Sequence, residues 1–154
     1  MLAIGAQAPG FVLPDQHGRA RRLSDLEGSG GAVVVFLPLA FSRTCTAELG
    51  ELRDNAEVFA GAGLQVVGVT VDSKHVLRAW AEELAVGFPL LSDFWPHGAV
   101  TRAFEAFRED VGYPARATYI LDADGMVRSA FTSPPGEARP IGAYQEALAA
   151  LSVH

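Results

Sequence analysis

A second cysteine is the first thing this sequence lacks. Cys45 is the only cysteine in 154 residues. No internal disulfide can form, which excludes a secreted scaffold framed by disulfide bonds and makes a reducing, cytoplasmic setting the expected one. Dithiol exchange within one chain is excluded for the same reason. Lysine is scarce as well: of 12 basic residues only Lys74 is a lysine, a skew that reads as the coding bias of a GC-rich genome. The formal net charge is −6, with no basic patch to draw nucleic acid or an anionic membrane surface.

Long apolar runs are absent too. The longest, "AVVVFLPLAF" (32–41), has a proline inside it and is too short to cross a bilayer. The N-terminus, "MLAIGAQAPGFVL", has neither the positive start nor the apolar stretch of a signal peptide. Repeats and low-complexity linkers are missing. What is present is ordinary globular composition, 49% hydrophobic and 19% charged, at a length that predicts a single domain over residues 1–154 with a core needing no staple.

Hydrophobic periodicity predicts the elements. "GFVLPDQHGRARRL" reads as an N-terminal hairpin turning at Gln16-His17-Gly18, and "GSGG" (28–31) as a connector. "AVVVFL" (32–37) is apolar and β-branched throughout, the pattern of a central strand covered on both faces. Leu49, Leu52, Ala56 and Phe59 then recur at three- and four-residue spacing, which predicts one helix over about 44–60, capped by Thr44 or Ser42. A strand follows at 63–72, then a helix at 74–84 with Val76, Leu77, Trp80 and Leu84 inward. "FPLLSD" reads as a short strand, "GAVTRAF" as a helical turn or two, 117–132 as a hairpin turning at Asp124-Gly125, and 142–151 as a closing helix. Together these predict an α/β fold, a mixed central sheet with helices on both faces, in an order that resembles the thioredoxin-like fold.

Cys45 is misplaced for a core filler. It follows Ser42, Arg43 and Thr44 and precedes Thr46 and Glu48, where the predicted strand has ended and a helix begins. Unpaired backbone N–H groups and the positive end of the helix dipole favour a thiolate at such a position, and the thiolate is the nucleophile. The Ser42 hydroxyl, three residues earlier, can be directed at the same spot.

At this point the residues resemble a family. "P-L-A-F-S-R-T-C" (38–45) matches the peroxiredoxin pattern P-x-x-x-[TS]-x-x-C, after an apolar strand and before a helix, and Glu48 fits the extended pattern. "GYPARATYILDADG" resembles the peroxiredoxin segment that carries an active-site arginine just before a strand, here Arg116. "APGFVLPDQHG" and "FPLLSDFWPHGAV" extend the likeness over the whole chain, the latter especially resembling the one-cysteine alkyl hydroperoxide reductase E group.

The resemblance implies a thiol peroxidase. Cys45 would attack hydrogen peroxide or an organic hydroperoxide, with peroxynitrite a further candidate, and become a sulfenic acid. Arg116, Ser42 and the Cys45 backbone N–H would stabilise the developing charge. Pro38 would shield the thiolate, and Glu48 would orient Arg116 through a bidentate pair. No cofactor or metal is implied. Because the position where one branch carries a resolving cysteine is Gly50, reduction must come from outside, by a low-molecular-weight thiol or by a mycoredoxin, glutaredoxin or thioredoxin-type partner. A homodimer is expected, with the loop bearing Phe94 and Trp95 at its contact.

Other features read blandly. Trp80 and Trp95 are core or interface anchors, His97 a turn histidine without partners at ligand spacing, and "DADG" (122–125) a hairpin turn lacking the later ligands of a calcium loop. "GSGG" precedes a strand and so is not a phosphate loop. The competing function is a thioredoxin-fold thiol redox sensor or a chaperone-like binding protein, in which Cys45 would oxidise slowly and have less need of Arg116, Ser42 and Pro38.

Overall fold

In the computed structural model, residues 1–27 and 30–152 are described. The expected connector falls partly on Gly28 and Ser29, outside those residues. The elements run β1 (Val12–Pro14), β2 (Ala20–Arg22), α1 (Leu23–Glu27), β3 (Gly31–Phe36), α2 (Arg43–Asp54), α3 (Ala56–Gly61), β4 (Gln65–Thr70) and α4 (Lys74–Leu84). They continue with β5 (Leu90–Ser92), α5 (Ala99–Ala103), β6 (Phe107–Arg108), β7 (Tyr113–Pro114), β8 (Arg116–Asp122), β9 (Val127–Ser133) and α6 (Ile141–Ser152).

Five strands form one sheet in the order β5-β4-β3-β8-β9. β3, β4 and β5 are parallel, while β8 runs antiparallel to both β3 and β9. The central strand β3 is buried at every residue, as its uninterrupted apolar run predicts. Alternation splits its side chains between two cores. Val34 and Phe36 join Tyr119, Phe104, Leu23 and Leu26 on one face. Val33 and Val35 join Leu49, Phe59, Leu77, Trp80 and Tyr144 on the other. The sheet therefore carries helices on both faces.

The N-terminal hairpin is present, and a carboxylate organises its turn. Asp15 Oδ1 accepts from the His17 and Arg19 amides at 2.8 and 3.0 Å, while Oδ2 accepts from Arg21 Nε at 2.8 Å.

Two expectations need correction. The helix expected over 44–60 is two helices. α2 ends at Asn55, whose backbone leaves the helical region (φ −113°, ψ 23°) while its side-chain Nδ2 and its own N–H both donate to the Glu51 carbonyl, at 2.8 and 3.1 Å. α4 has the expected bounds, and Ser73 caps it through Val76 N–H at 3.2 Å, but Val76 in its first turn is exposed and only Leu77 and Trp80 of the four predicted inward residues are fully buried. The two-residue ladder of β6 and β7 has no period long enough to see in the sequence.

Sheet register brings β8 to the end of β3 that matters. Val35 lies opposite Thr118 in the antiparallel pair. Arg116, two residues earlier in β8, therefore reaches the edge where β3 gives way to Pro38 and the loop into α2. Period-two alternation places Arg116 on the same face as Thr118 and Ile120, and Ile120 belongs to the core that packs against α2.

Candidate active site

Cys45 is the third residue of α2 and is fully buried. Ser42 is the N-cap residue, with φ −67° and ψ 150°. Its hydroxyl does not cap the helix and does not meet the sulfur: Oγ donates to the Leu39 carbonyl at 2.9 Å. That differs from the expected aim at Cys45, and the reason is local. The loop folds back on itself at Phe41, whose φ is +65°, which brings the Leu39 carbonyl within reach of Ser42. The loop is also tied to the next strand's end, since Ala40 N–H donates to Asp72 Oδ2 at 2.8 Å. Trp80 Nε1 donates to Thr46 Oγ1 at 3.2 Å, pinning α4 beside the cysteine.

Arg116 crosses to the sulfur. Its NH1 group donates to Cys45 Sγ at 3.3 Å and also to Glu48 Oε1. Glu48 lies one turn after Cys45 on the same helical face and is 4% exposed. The arginine that grips Glu48 by both oxygens is a different one from that expected. Arg139 donates from Nε and from its backbone N–H to Oε2, both at 2.8 Å, and from NH2 to Oε1 at 3.1 Å. Its NH1 donates to the Ala117 carbonyl at 2.8 Å and to Thr118 Oγ1 at 3.2 Å. Arg116 touches Glu48 through one nitrogen only, so the bidentate pair predicted for Arg116 belongs to Arg139.

Burial by itself would push the Glu48 carboxyl up. The hydrogen bond and charge of Arg139, with the charge of Arg116 added, reverse this and hold it below the ordinary value. Glu48 is therefore an anion between two guanidinium groups. A carboxylate held by two guanidinium groups is the kind of pairing that a buried charge requires.

A cavity of about 230 Å³ opens beside this cluster, lined by Pro38, Arg108, Tyr113, Pro114, Arg116 and Pro135 among others. Cys45 does not line it; the cavity reaches Arg116, which bonds the sulfur. Arg116 holds one feature in reserve: its Nε is buried and makes no hydrogen bond among the described residues.

The residues left aside by the sequence reading stay apart from this cluster. His97 Nε2 is bonded to the Gly112 carbonyl at 2.7 Å. Asp122 Oδ1 accepts from the Asp124 and Met126 amides, so the "DADG" carboxylate serves a hairpin turn. Among the described residues no three His, Cys, Asp or Glu side chains are grouped to hold a metal ion.

Comparison with known proteins decides the family. The model of the AhpC/TSA family matches residues 4–130. The chain belongs to the AhpC/TSA family. Alkyl hydroperoxide reductase E of Mycobacterium tuberculosis is 40% identical over 152 residues, covering 99% of each chain. Peroxiredoxin Bcp of Escherichia coli is 35% identical over 136 residues, covering 84% of this chain and 85% of its own. The solved structure of peroxidoxin BcpB from Mycobacterium tuberculosis aligns with a TM-score of 0.87 at 33% identity, covering 99% and 98% of the two chains. The fold is thus the thioredoxin-like one of peroxiredoxins, and the protein is a peroxiredoxin-type thiol peroxidase.

Sequence reasoning missed Arg139. It stands in "TSPPGEARP", a proline- and glycine-rich stretch with no period to place it on a face. Its partner Glu48 is 91 residues away.

Proposed function

We propose that residues 1–154 act as one domain whose Cys45 reduces hydrogen peroxide and organic hydroperoxides by a one-cysteine cycle. The observation that carries this reading is Arg116. It donates to the sulfur from one nitrogen and keeps a second, buried N–H without an acceptor among the described residues. An orphaned buried donor costs about 1–3 kcal/mol. A hydroperoxide oxygen lying beside Cys45 supplies the acceptor, and the bond strengthens as charge develops on the leaving oxygen.

The cycle balances without a cofactor. The thiolate lone pair takes the distal peroxide oxygen. The O–O bond breaks and its electron pair stays with the leaving oxygen, which takes up the hydroperoxide proton and departs as water or an alcohol. The sulfenate left behind gains a proton to become the sulfenic acid. An external thiol then displaces water to form a mixed disulfide, and a second thiol releases Cys45 in its reduced form. The thiol is a low-molecular-weight one or belongs to a redox protein of the mycoredoxin, glutaredoxin or thioredoxin type. No second cysteine competes for the sulfenic acid.

The remaining residues have supporting roles. Glu48, fixed by Arg139, orients Arg116. Pro38 walls the sulfur from bulk water. Ser42 acts through the loop it closes on Leu39. The working compartment is the cytoplasm, and no described helix is long and apolar enough to cross a membrane. A homodimer forms through the loop carrying Phe94 and Trp95, which are 54% and 82% exposed.

The test is substitution of the thiol. Cys45→Ser abolishes peroxide turnover while leaving circular dichroism and the unfolding midpoint near wild type. Turnover retained by that variant overturns the proposal.

A further inference from the structure

The cavity beside Cys45 has a second cation that the chemistry above does not use. Arg108 lines it, on a braced hairpin. Arg108 pairs with Tyr113 across the β6–β7 ladder, and its carbonyl accepts from Gly112 N–H at 2.8 Å. α5 clamps the ladder: the Arg102 guanidinium lies over the Phe107 ring at 4.0 Å, and its Nε pairs with Glu109 at 2.8 Å. The bond between His97 and the Gly112 carbonyl fixes the turn. β7 then leads through Ala115 directly to Arg116. Two arginines, one at each end of this short segment, thus share one cavity.

The two are engaged very differently. Arg116 is committed to Glu48 and the sulfur within a buried cluster. Arg108 is 30% exposed, and its guanidinium has Asp110 as its partner, through a 2.8 Å contact to a carboxylate that is itself 65% exposed. An exposed pair of this kind is weak and easily exchanged. Among the described residues no carboxylate lines the cavity, and most of its wall is apolar or uncharged: Pro38, Tyr113, Pro114 and Pro135. At about 230 Å³ it is several times the roughly 30 Å³ that one water occupies in the liquid. Hydrogen peroxide leaves most of it unfilled.

We infer that Arg108 is a specificity-determining residue that selects organic hydroperoxides carrying a carboxylate. The hydroperoxyl group meets the Arg116 end of the cavity, the apolar stem rests on the proline and tyrosine wall, and the carboxylate takes the place of Asp110 on Arg108. The chemistry is unchanged: the distal oxygen passes to Cys45 and the carboxylate-bearing alcohol leaves with the proton. The inference rests on reading this cavity as the peroxide site.

The test compares Cys45 oxidation rates for four probes by stopped flow. They are hydrogen peroxide, tert-butyl hydroperoxide, a tertiary hydroperoxide with a terminal carboxylate, and the methyl ester of that acid. The wild type oxidises with the acid about three- to fivefold faster than with the ester, the range an exposed charge pair provides. Arg108→Gln brings the ratio to about one, Arg108→Lys restores part of it, and both keep the hydrogen peroxide rate within about twofold of wild type. Asp110→Asn frees Arg108 and raises the acid-to-ester ratio, an effect that a merely structural Arg108 would not produce. An unchanged ratio in Arg108→Gln, or an equal fall for all four probes, overturns the inference while leaving the peroxidase reading in place. Failure of the wild type to oxidise with any of them overturns both.

Discussion

Arg139 offers the sharpest perturbation of the site's support. Replacing it with methionine keeps much of the apolar bulk and removes four side-chain hydrogen bonds: two to Glu48, one to the Ala117 carbonyl and one to Thr118. Glu48 is then left buried with the backbone N–H of residue 139 and the single contact from Arg116, and with one guanidinium instead of two. Breaking a buried ion pair from one side costs about 3–5 kcal/mol, since a charge stays behind without its partner. In a protein of this size that lowers the melting temperature by about 6–20 °C. Urea unfolding reads it as a fall in midpoint with an unchanged slope. The pH dependence carries a second signature. In the wild type Glu48 lies below its usual 4.5 when folded, so the unfolded chain takes up that proton first. Its contribution is complete above about 4.5 and drains away as the pH falls toward the lower folded value. Without the Arg139 side chain most of what lowers the Glu48 carboxyl is gone while burial remains, so the variant lacks this contribution and its deficit shrinks on acidification. The double variant Glu48→Gln, Arg139→Met recovers part of the loss, because the stranded carboxylate carries most of it. A single variant within about 1 kcal/mol of wild type at pH 7, or a deficit that does not shrink below pH 5, refutes the reasoning.

Arg116→Ala lowers the rate of Cys45 oxidation by a factor on the order of 10²–10³, the loss typical of one preorganised donor, as measured by stopped-flow fluorescence. One equivalent of peroxide adds a single oxygen to the intact mass and excess peroxide adds two, with irreversible loss of activity; a rapid, stoichiometric covalent dimer on a non-reducing gel contradicts the one-cysteine cycle. If the proposed dimer forms through this loop, Trp95→Glu lowers the sedimentation coefficient to that of a monomer, and an unchanged coefficient contradicts a contact at this loop. Gly98→Ala forces a side chain onto a backbone with φ +71° and into the Phe107 ring, so it destabilises by about 1–3 kcal/mol in urea titration and loosens the hairpin that carries Arg108.

The sequence carried those parts of the fold whose signal is local. β3 was legible because its six buried residues are a glycine followed by five consecutive apolar side chains. α4 was legible in extent because Ser73 caps it and Leu77 and Trp80 face the core, yet Val76, within the predicted inward set, is exposed. Asn55 shows the limit of periodicity: the apolar spacing runs straight through it, and the break lies in its backbone, at φ −113° and ψ 23°, with its side chain turned back onto the Glu51 carbonyl. At the site, Cys45, Glu48 and Arg116 were singled out by motif, and the fold brings all three into contact. The direction of the Ser42 hydroxyl was beyond the motif's reach, because it depends on the left-handed turn at Phe41. Arg139 was hidden because its importance lies wholly in a contact made across the fold.

The most direct test of the central claim is the rate at which reduced protein reacts with one equivalent of hydrogen peroxide, followed by intact-mass and peptide analysis. Trp80, hydrogen-bonded to Thr46 beside the thiol, supplies the fluorescence signal. The account predicts oxidation far faster than that of free cysteine, with one oxygen located on Cys45 and the fast phase absent from Cys45→Ser. A rate equal to that of free cysteine, or an oxygen placed on a methionine instead, contradicts it.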